Sequence, residues 1–195
     1  MKRAMWLALS SLSLAVLVRR VARRQTQHFD RRWSARIGKG GKLADDLSRP
    51  AQPKNVFVET LLIACLPRLQ PGERGAIVSA PLLAGLVGHA LKRGVPRKRP
   101  GVARFSLQGR ESFPSTHAAT AASLAFATAH VARQHGASRW TVAGAIGLVG
   151  GVALARLRAG AHWPTDVVAG ALLGIASAEA ATLLLPAGSP ASGGP

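Results

Sequence analysis

Tyrosine is absent, and aromatic residues make up only 5% of the 195-residue chain. A protein that binds single-stranded nucleic acid needs aromatic faces for the bases to stack on, and this composition supplies few. No helix-turn-helix or RNA-binding signature replaces them. Acidic residues are also scarce, with 8 Asp+Glu against 26 Lys+Arg and a formal charge of +18. They form no cluster with the spacing of a divalent-cation cage. The one cysteine, Cys65 in VFVETLLIACL, excludes an intramolecular disulfide and implies no zinc site. It reads as a small buried apolar residue. Ribosomal and DNA-binding proteins carry this much positive charge on a polar composition. Here 48% of residues are hydrophobic, and basic loops separate apolar runs, which is the pattern of a membrane protein.

The first apolar run is Met5 to Val18, preceded by Lys2 and Arg3 and followed by Arg19, Arg20, Arg23 and Arg24. The charged stop argues against a cleaved signal peptide. About 14 helical residues span ~21 Å, short of a ~30 Å hydrocarbon core, so the run is expected to lie in or near the interface. Residues 19–54 are basic. Val21, Phe29, Trp33 and Ile37 recur there at helical spacing, which suits either an amphipathic helix on anionic headgroups or a solvated linker. Asp45-Asp46 reads as a helix-cap region. A short run from Val56 ends at Pro67, and residues 1–55 are expected to form a basic segment apart from a helical domain at 56–186. Spans are predicted at 75–91, with a kink at Pro81, and at 118–132, 141–155 and 166–185. His89 is either a helix-end residue or one that faces the site. Gly144, Gly147, Gly150 and Gly151, and again Gly170 and Gly174, recur as they do where membrane helices approach closely. Their spacing is not G-x-G-x-x-G, so a dinucleotide fingerprint is excluded. The tail, 187–195, is low-complexity and expected to be disordered. The fold class is therefore all-α, a multi-span transmembrane helical bundle.

If each predicted run crosses once, the basic loop 92–115 and the segment 156–166 lie at the same membrane face. Span parity alone brings the two charged clusters together. The first cluster holds Lys92, Arg93, Arg97, Lys98, Arg99, Arg104 and Arg110 and closes in Pro114-Ser115-Thr116-His117. The second holds Arg156, Arg158, His162 and Asp166. Arginine clamps phosphate oxygens in a fixed fork, and a Ser-capped helix start adds partial positive charge. Such a pair of clusters suits a phosphate.

The spacings Lys92-x6-Arg99-Pro100, Pro114-Ser115-Thr116-His117 and Arg156-x5-His162-x3-Asp166 resemble the three signatures of the type 2 phosphatidic acid phosphatase superfamily, in order. Thr116 stands where the family usually has Gly, and Ala155 where it has Ser. The resemblance implies a membrane lipid phosphatase with its active site at the membrane–water interface, no cofactor and no metal. It implies His162 as the nucleophile, His117 as general acid and Asp166 holding the proton on the other His162 nitrogen. Lys92, Arg99, Ser115, Thr116 and Arg156 would bind the phosphate. The remaining arginines of the loop would meet lipid headgroups or solvent, and His130 and His135 carry no role. The expected partners are a membrane and a lipid phosphate, with no nucleic acid. The location is a multi-pass cell-membrane one. The Lys/Arg count would put the site in the cytoplasm, whereas bacterial relatives often carry it outside. A polyprenyl-linked phosphate is the favoured substrate, as in actinobacterial relatives acting on decaprenylphosphoryl-5-phosphoribose. Phosphatidic acid and phosphatidylglycerophosphate are alternatives. A soluble acid phosphatase of the same superfamily and a catalytically silent lipid-binding protein are the rival readings.

Overall fold

The computed structural model describes residues 2–38, 40–100 and 111–186. Arg104, Arg110 and the tail 187–195 lie outside the described residues. The described residues fold into helices α1 (Lys2–Ala22), α2 (Gln27–Ile37), α3 (Gly41–Leu47), α4 (Pro53–Ala64), α5 (Pro71–Gly94), α6 (Thr116–Gln134), α7 (Trp140–Arg158) and α8 (Pro164–Leu184). The protein is an all-α transmembrane bundle. Among the described residues four helices are long and apolar enough to cross a membrane: Arg3–Ala22, Pro71–Gly94, Trp140–Arg158 and Pro164–Leu184. Large side chains such as Leu12, Leu62, Leu86, Ile146 and Leu184 are exposed on the outside of the bundle, where acyl chains would cover them.

α6 occupies the centre and packs on α4, α5, α7 and α8. It is rich in Ala, Thr and Ser because it faces protein rather than lipid. His117, Ala118, Ala119, Ala122, Ser123 and Ala127 on it are all buried. With little hydrophobic drive between helices in lipid, close backbone approach carries the packing. The approach is tightest along α8. A Cβ on Gly170 would lie 2.4 Å from the Ser115 carbonyl oxygen, and one on Gly174 would lie 2.4 Å from that of Ala119. This bears out the small-residue reading for α8. It corrects it for α7, where Cβ atoms on Gly144, Gly147, Gly150 and Gly151 would meet nothing within 4 Å.

The N-terminal helix also differs from expectation. Arg19 and Arg20 continue the helix instead of ending it, so α1 has 21 residues and a length of ~31 Å, enough to span. It does not stand apart in an interface. Leu14, Leu17, Val18 and Val21 pack against Val95, Phe113 and Ala169. Val21 belongs to α1, so the expected helical stripe with Phe29, Trp33 and Ile37 is broken by the turn at 23–26. α2 keeps Phe29 and Trp33 exposed, their rings 6.0 Å apart. Asp46 lies inside α3, where it pairs with Arg49 at 2.8 Å, so it does not cap a helix start. Cys65 is exposed, because α4 stops at Ala64 and leaves it in the turn before α5. α5 continues through a buried Pro81, and His89 on it is exposed, pointing away from the core.

The far end of the bundle is tied by Glu73. Its carboxylate accepts the Gln70 N–H at 2.7 Å, capping α5, and lies 3.0 Å from His135 Nε2 at the end of α6. The near end gathers the C-termini of α5 and α7 and the N-termini of α6 and α8, as span parity required. There the Ser115 N–H donates to the Asp166 carbonyl oxygen at 3.0 Å, joining the two clusters.

Candidate active site

The charged groups of the site are delivered by helix ends and the segments that adjoin them. Lys92 rides on the last turn of α5, and its ammonium donates to the Pro114 carbonyl at 2.8 Å and to that of Glu111 at 3.3 Å. Arg99 follows in the loop and donates to the Ala161 carbonyl at 2.9 Å. Arg156, in the last turn of α7, is completely buried and donates to Ser48 Oγ at 2.9 Å. Ser115 is the N-cap of α6, its Oγ accepting the Ala118 N–H at 3.4 Å. That helix start puts Thr116 and His117 beside the cluster. His117 is buried and its Nε2 has no hydrogen-bond partner among the described residues. A buried ring nitrogen in that state is poised for a ligand atom.

His162 is buried in the turn between α7 and α8. Its Nδ1 lies 2.8 Å from the Ser112 carbonyl oxygen. A carbonyl only accepts, so Nδ1 carries the proton and Nε2 keeps a lone pair. Nε2 lies 3.4 Å from Arg99 Nη1, within the cationic cluster. Burial pulls the His162 pKa down to about 4, partly opposed by the Asp166 carboxylate. The ring is therefore neutral at pH 7. Pro164 occupies the first position of α8, as expected, and Asp166 the third.

The role foreseen for Asp166 changes. Its Oδ2 is 3.8 Å from His162 Nδ1, too far for a hydrogen bond. That oxygen instead accepts the Trp163 N–H at 2.8 Å, and Oδ1 accepts from Arg97 at 2.6 Å. The direct proton acceptor is Ser112, and Asp166 acts on His162 through charge and by fixing the start of α8.

Two further corrections concern residues placed outside the chemistry. Arg97 does not face headgroups. Its guanidinium bridges Asp166 and Asp30, and lies 5.5 Å from the centre of the Trp163 ring. The first 55 residues are not apart from the site either, since Asp30 on α2 and Ser48 after α3 are buried against it. Asp30 did leave a signal: it is the only acidic residue in the first 44 positions, among many cations. A lone carboxylate in such a stretch is a natural buried ion-pair partner. Ser48 and the Ser112 carbonyl leave no comparable mark. Lys98 and Arg158 are exposed, as expected. Among the described residues no three His, Cys, Asp or Glu side chains converge as metal ligands.

One cavity lies at the edge of the cluster, and another lies between helices of the bundle. The first, of about 740 Å³, lies beside Trp163 and Arg97 and is lined by Arg24, Arg31 and Lys98 among others. The other is an apolar groove of about 650 Å³ between α4, α6 and α7. It runs from Thr141 past Leu124 and Leu148 to Leu47 and Val152, and Leu47 directly precedes Ser48 in the chain.

The fold has solved counterparts. A transmembrane PAP2-type phosphatidylglycerolphosphate phosphatase from Bacillus subtilis superposes with a TM-score of 0.78 at 17% identity, over 91% of this chain and 94% of its own. LpxE of Aquifex aeolicus superposes with a TM-score of 0.65 at 18% identity, over 80% of this chain and 95% of its own. A search of curated protein sequences gives no match. The family model of the PAP2 superfamily matches residues 75–188, a stretch that contains all three spaced motifs and both histidines of the cluster, and the chain belongs to that superfamily.

Proposed function

We propose that the protein is a membrane lipid phosphatase that releases inorganic phosphate through a phosphohistidine at His162. Family membership makes the chain a phosphoric-ester hydrolase. The observation that carries the mechanism is the paired state of the two rings. His162 has its Nδ1 proton held by Ser112 and Nε2 turned to the cations, while His117 Nε2 is buried and unpartnered.

A phosphate ester in the site would meet Lys92, Arg99 and Arg156 on its non-bridging oxygens, with N–H groups of the α6 start beside them. The His162 Nε2 lone pair attacks phosphorus in line, and the bond from phosphorus to the lipid oxygen breaks. His117, carrying a proton taken up with the anionic phosphate of the substrate, gives it to that oxygen, so the lipid leaves as an alcohol and His117 becomes neutral. Water then attacks phosphorus, His117 takes a water proton, and the P–N bond breaks to free phosphate and neutral His162. Positive charge comes from side chains, so turnover is expected to persist in EDTA.

The substrate reading is a polyprenyl-linked phosphate. The apolar groove on α4, α6 and α7 supports a long chain lying along the bundle with its headgroup at the cluster. A glycerophospholipid is the second reading, favoured by the fold of the Bacillus subtilis phosphatidylglycerolphosphate phosphatase. The deciding experiment is phosphate release by detergent-purified protein in EDTA. The panel holds polyprenyl diphosphate, polyprenyl-phosphoryl-5-phosphoribose, phosphatidic acid, phosphatidylglycerophosphate and a water-soluble monoester, each also tested with His162→Ala. Turnover of a polyprenyl substrate, lost in the variant, supports the first reading. Preference for a glycerophospholipid selects the second, and preference for the soluble ester contradicts both. We further propose that the location is the cell membrane.

A further inference from the structure

We infer that Asp30 on α2 is a positioning residue of the active site, holding the α8 start that follows His162 through Arg97 and Thr165. The inference rests on the phosphatase reading above. Asp30 lies outside the stretch that the family model matches, which begins at residue 75.

The geometry is a clamp. Asp30 Oδ1 accepts the Thr165 backbone N–H at 3.0 Å, and Oδ2 accepts the Thr165 hydroxyl at 2.9 Å. Thr165 N–H is one of the donors that a helix start leaves without an intrahelical partner, so Asp30 caps α8 from another helix. Oδ2 also accepts from Arg97 Nη2 at 2.5 Å. The other arm of the same guanidinium, Nη1, donates to Asp166 Oδ1 at 2.6 Å and to Thr165 Oγ1 at 2.8 Å. Trp163, beneath the guanidinium, donates its indole N–H to the Lys98 carbonyl at 2.9 Å. Residues 163, 165 and 166 are thus each gripped from α2 or the segment around Arg97, and His162 is the residue immediately before them.

The charges explain why the clamp needs two carboxylates. Asp166 and Asp30 are both almost fully buried, and a buried carboxylate requires a partner. Arg97 partners both. In Asp30→Asn the guanidinium has one anion instead of two, and one of the two acceptor oxygens becomes an amide NH2 facing donors, so the α8 start and His162 drift. A shift of this kind changes the alignment of Nε2 with phosphorus, and a misplacement of about 1 Å costs on the order of 10²-fold in rate. Phosphate binding by Lys92, Arg99 and Arg156 is left in place. A mere tether for α2 would behave differently, altering yield and melting temperature without touching kcat of the folded protein.

The test uses the full chain in detergent, assayed on whichever lipid the wild type turns over, with Asp46→Asn as a surface control. Asp30→Asn is expected to lower kcat by about 10²-fold with KM little changed. Asp30→Asn combined with Arg97→Gln should cost no more than the worse single change, because the two act as one unit. Melting temperatures are read on every variant. Should Asp30→Asn fail to fold, Arg97→Lys carries the same test, keeping the charge but losing the fork. Wild-type kcat in folded Asp30→Asn or Arg97→Lys, or additive losses in the double variant, would overturn the positioning role. Absence of His162-dependent release by the wild type is a different result, which overturns the phosphatase reading and the role of Asp30 with it.

Discussion

The first 55 residues and the helical domain that follows meet the same site in different ways. The domain supplies the groups that would touch phosphate: Lys92, Arg99, Arg156, His117 and His162. The N-terminal segment supplies supports: Ser48 holds Arg156 directly, and Asp30 holds Arg97 and Thr165 behind His162. The reacting groups thus come from the domain alone, whereas their supports come from both parts of the chain. The N-terminal supports, Asp30 on α2 and Ser48 in the turn after α3, lie in a stretch whose composition suits either a membrane-surface helix or a solvated linker.

The comparison is sharpened most by His117→Ala in the domain. Removing the proposed general acid is expected to lower kcat by about 10²- to 10⁴-fold on a lipid alcohol leaving group. The loss should shrink on an aryl phosphate, whose leaving group needs no proton. An equal loss on both esters would take the acid role from His117.

Next comes the α6–α8 seam, which sets the spacing of the two clusters. Gly170→Val puts side-chain atoms where the Ser115 carbonyl already stands, and little folded protein is expected in a detergent gel-filtration profile. Gly147→Val on α7 meets open space and should give the wild-type profile. Similar profiles for the two variants would sink the seam.

The smallest effect belongs to the N-terminal side. Ser48→Ala removes one acceptor from a buried guanidinium, a bond to a charged group contributing about 1.5–3 kcal/mol. A roughly tenfold rise in KM for the lipid phosphate is expected, since Arg156 would bind the ground state and the transition state alike. Unchanged KM would show that Arg156 is held without Ser48.

What the sequence made legible follows from locality. The helices of the bundle were readable because lipid imposes long apolar runs, and the two clusters met by span parity. Lys92, Arg99, His117, Arg156, His162 and Asp166 were readable because residue type and spacing along one chain mark them. The bond from His162 to Ser112 was not, since its acceptor is a backbone carbonyl that any residue carries. Nor was the pairing of Asp30 with Thr165, across 135 positions. The length of α1 is not legible from its apolar run, because Arg19 and Arg20 belong to the helix and long cationic side chains can extend to the interface from a helix end.

The most direct test of the phosphohistidine is chemical trapping. Wild-type protein and His162→Ala would be mixed with lipid substrate carrying labelled terminal phosphate, in EDTA, and quenched in alkali. Expected is label on the wild-type chain that survives alkali, is released by acid and maps to residue 162, with none on the variant. Rapid release of labelled phosphate by the wild type with no protein-bound label at any quench time, or equal labelling of the variant, would contradict a nucleophilic His162.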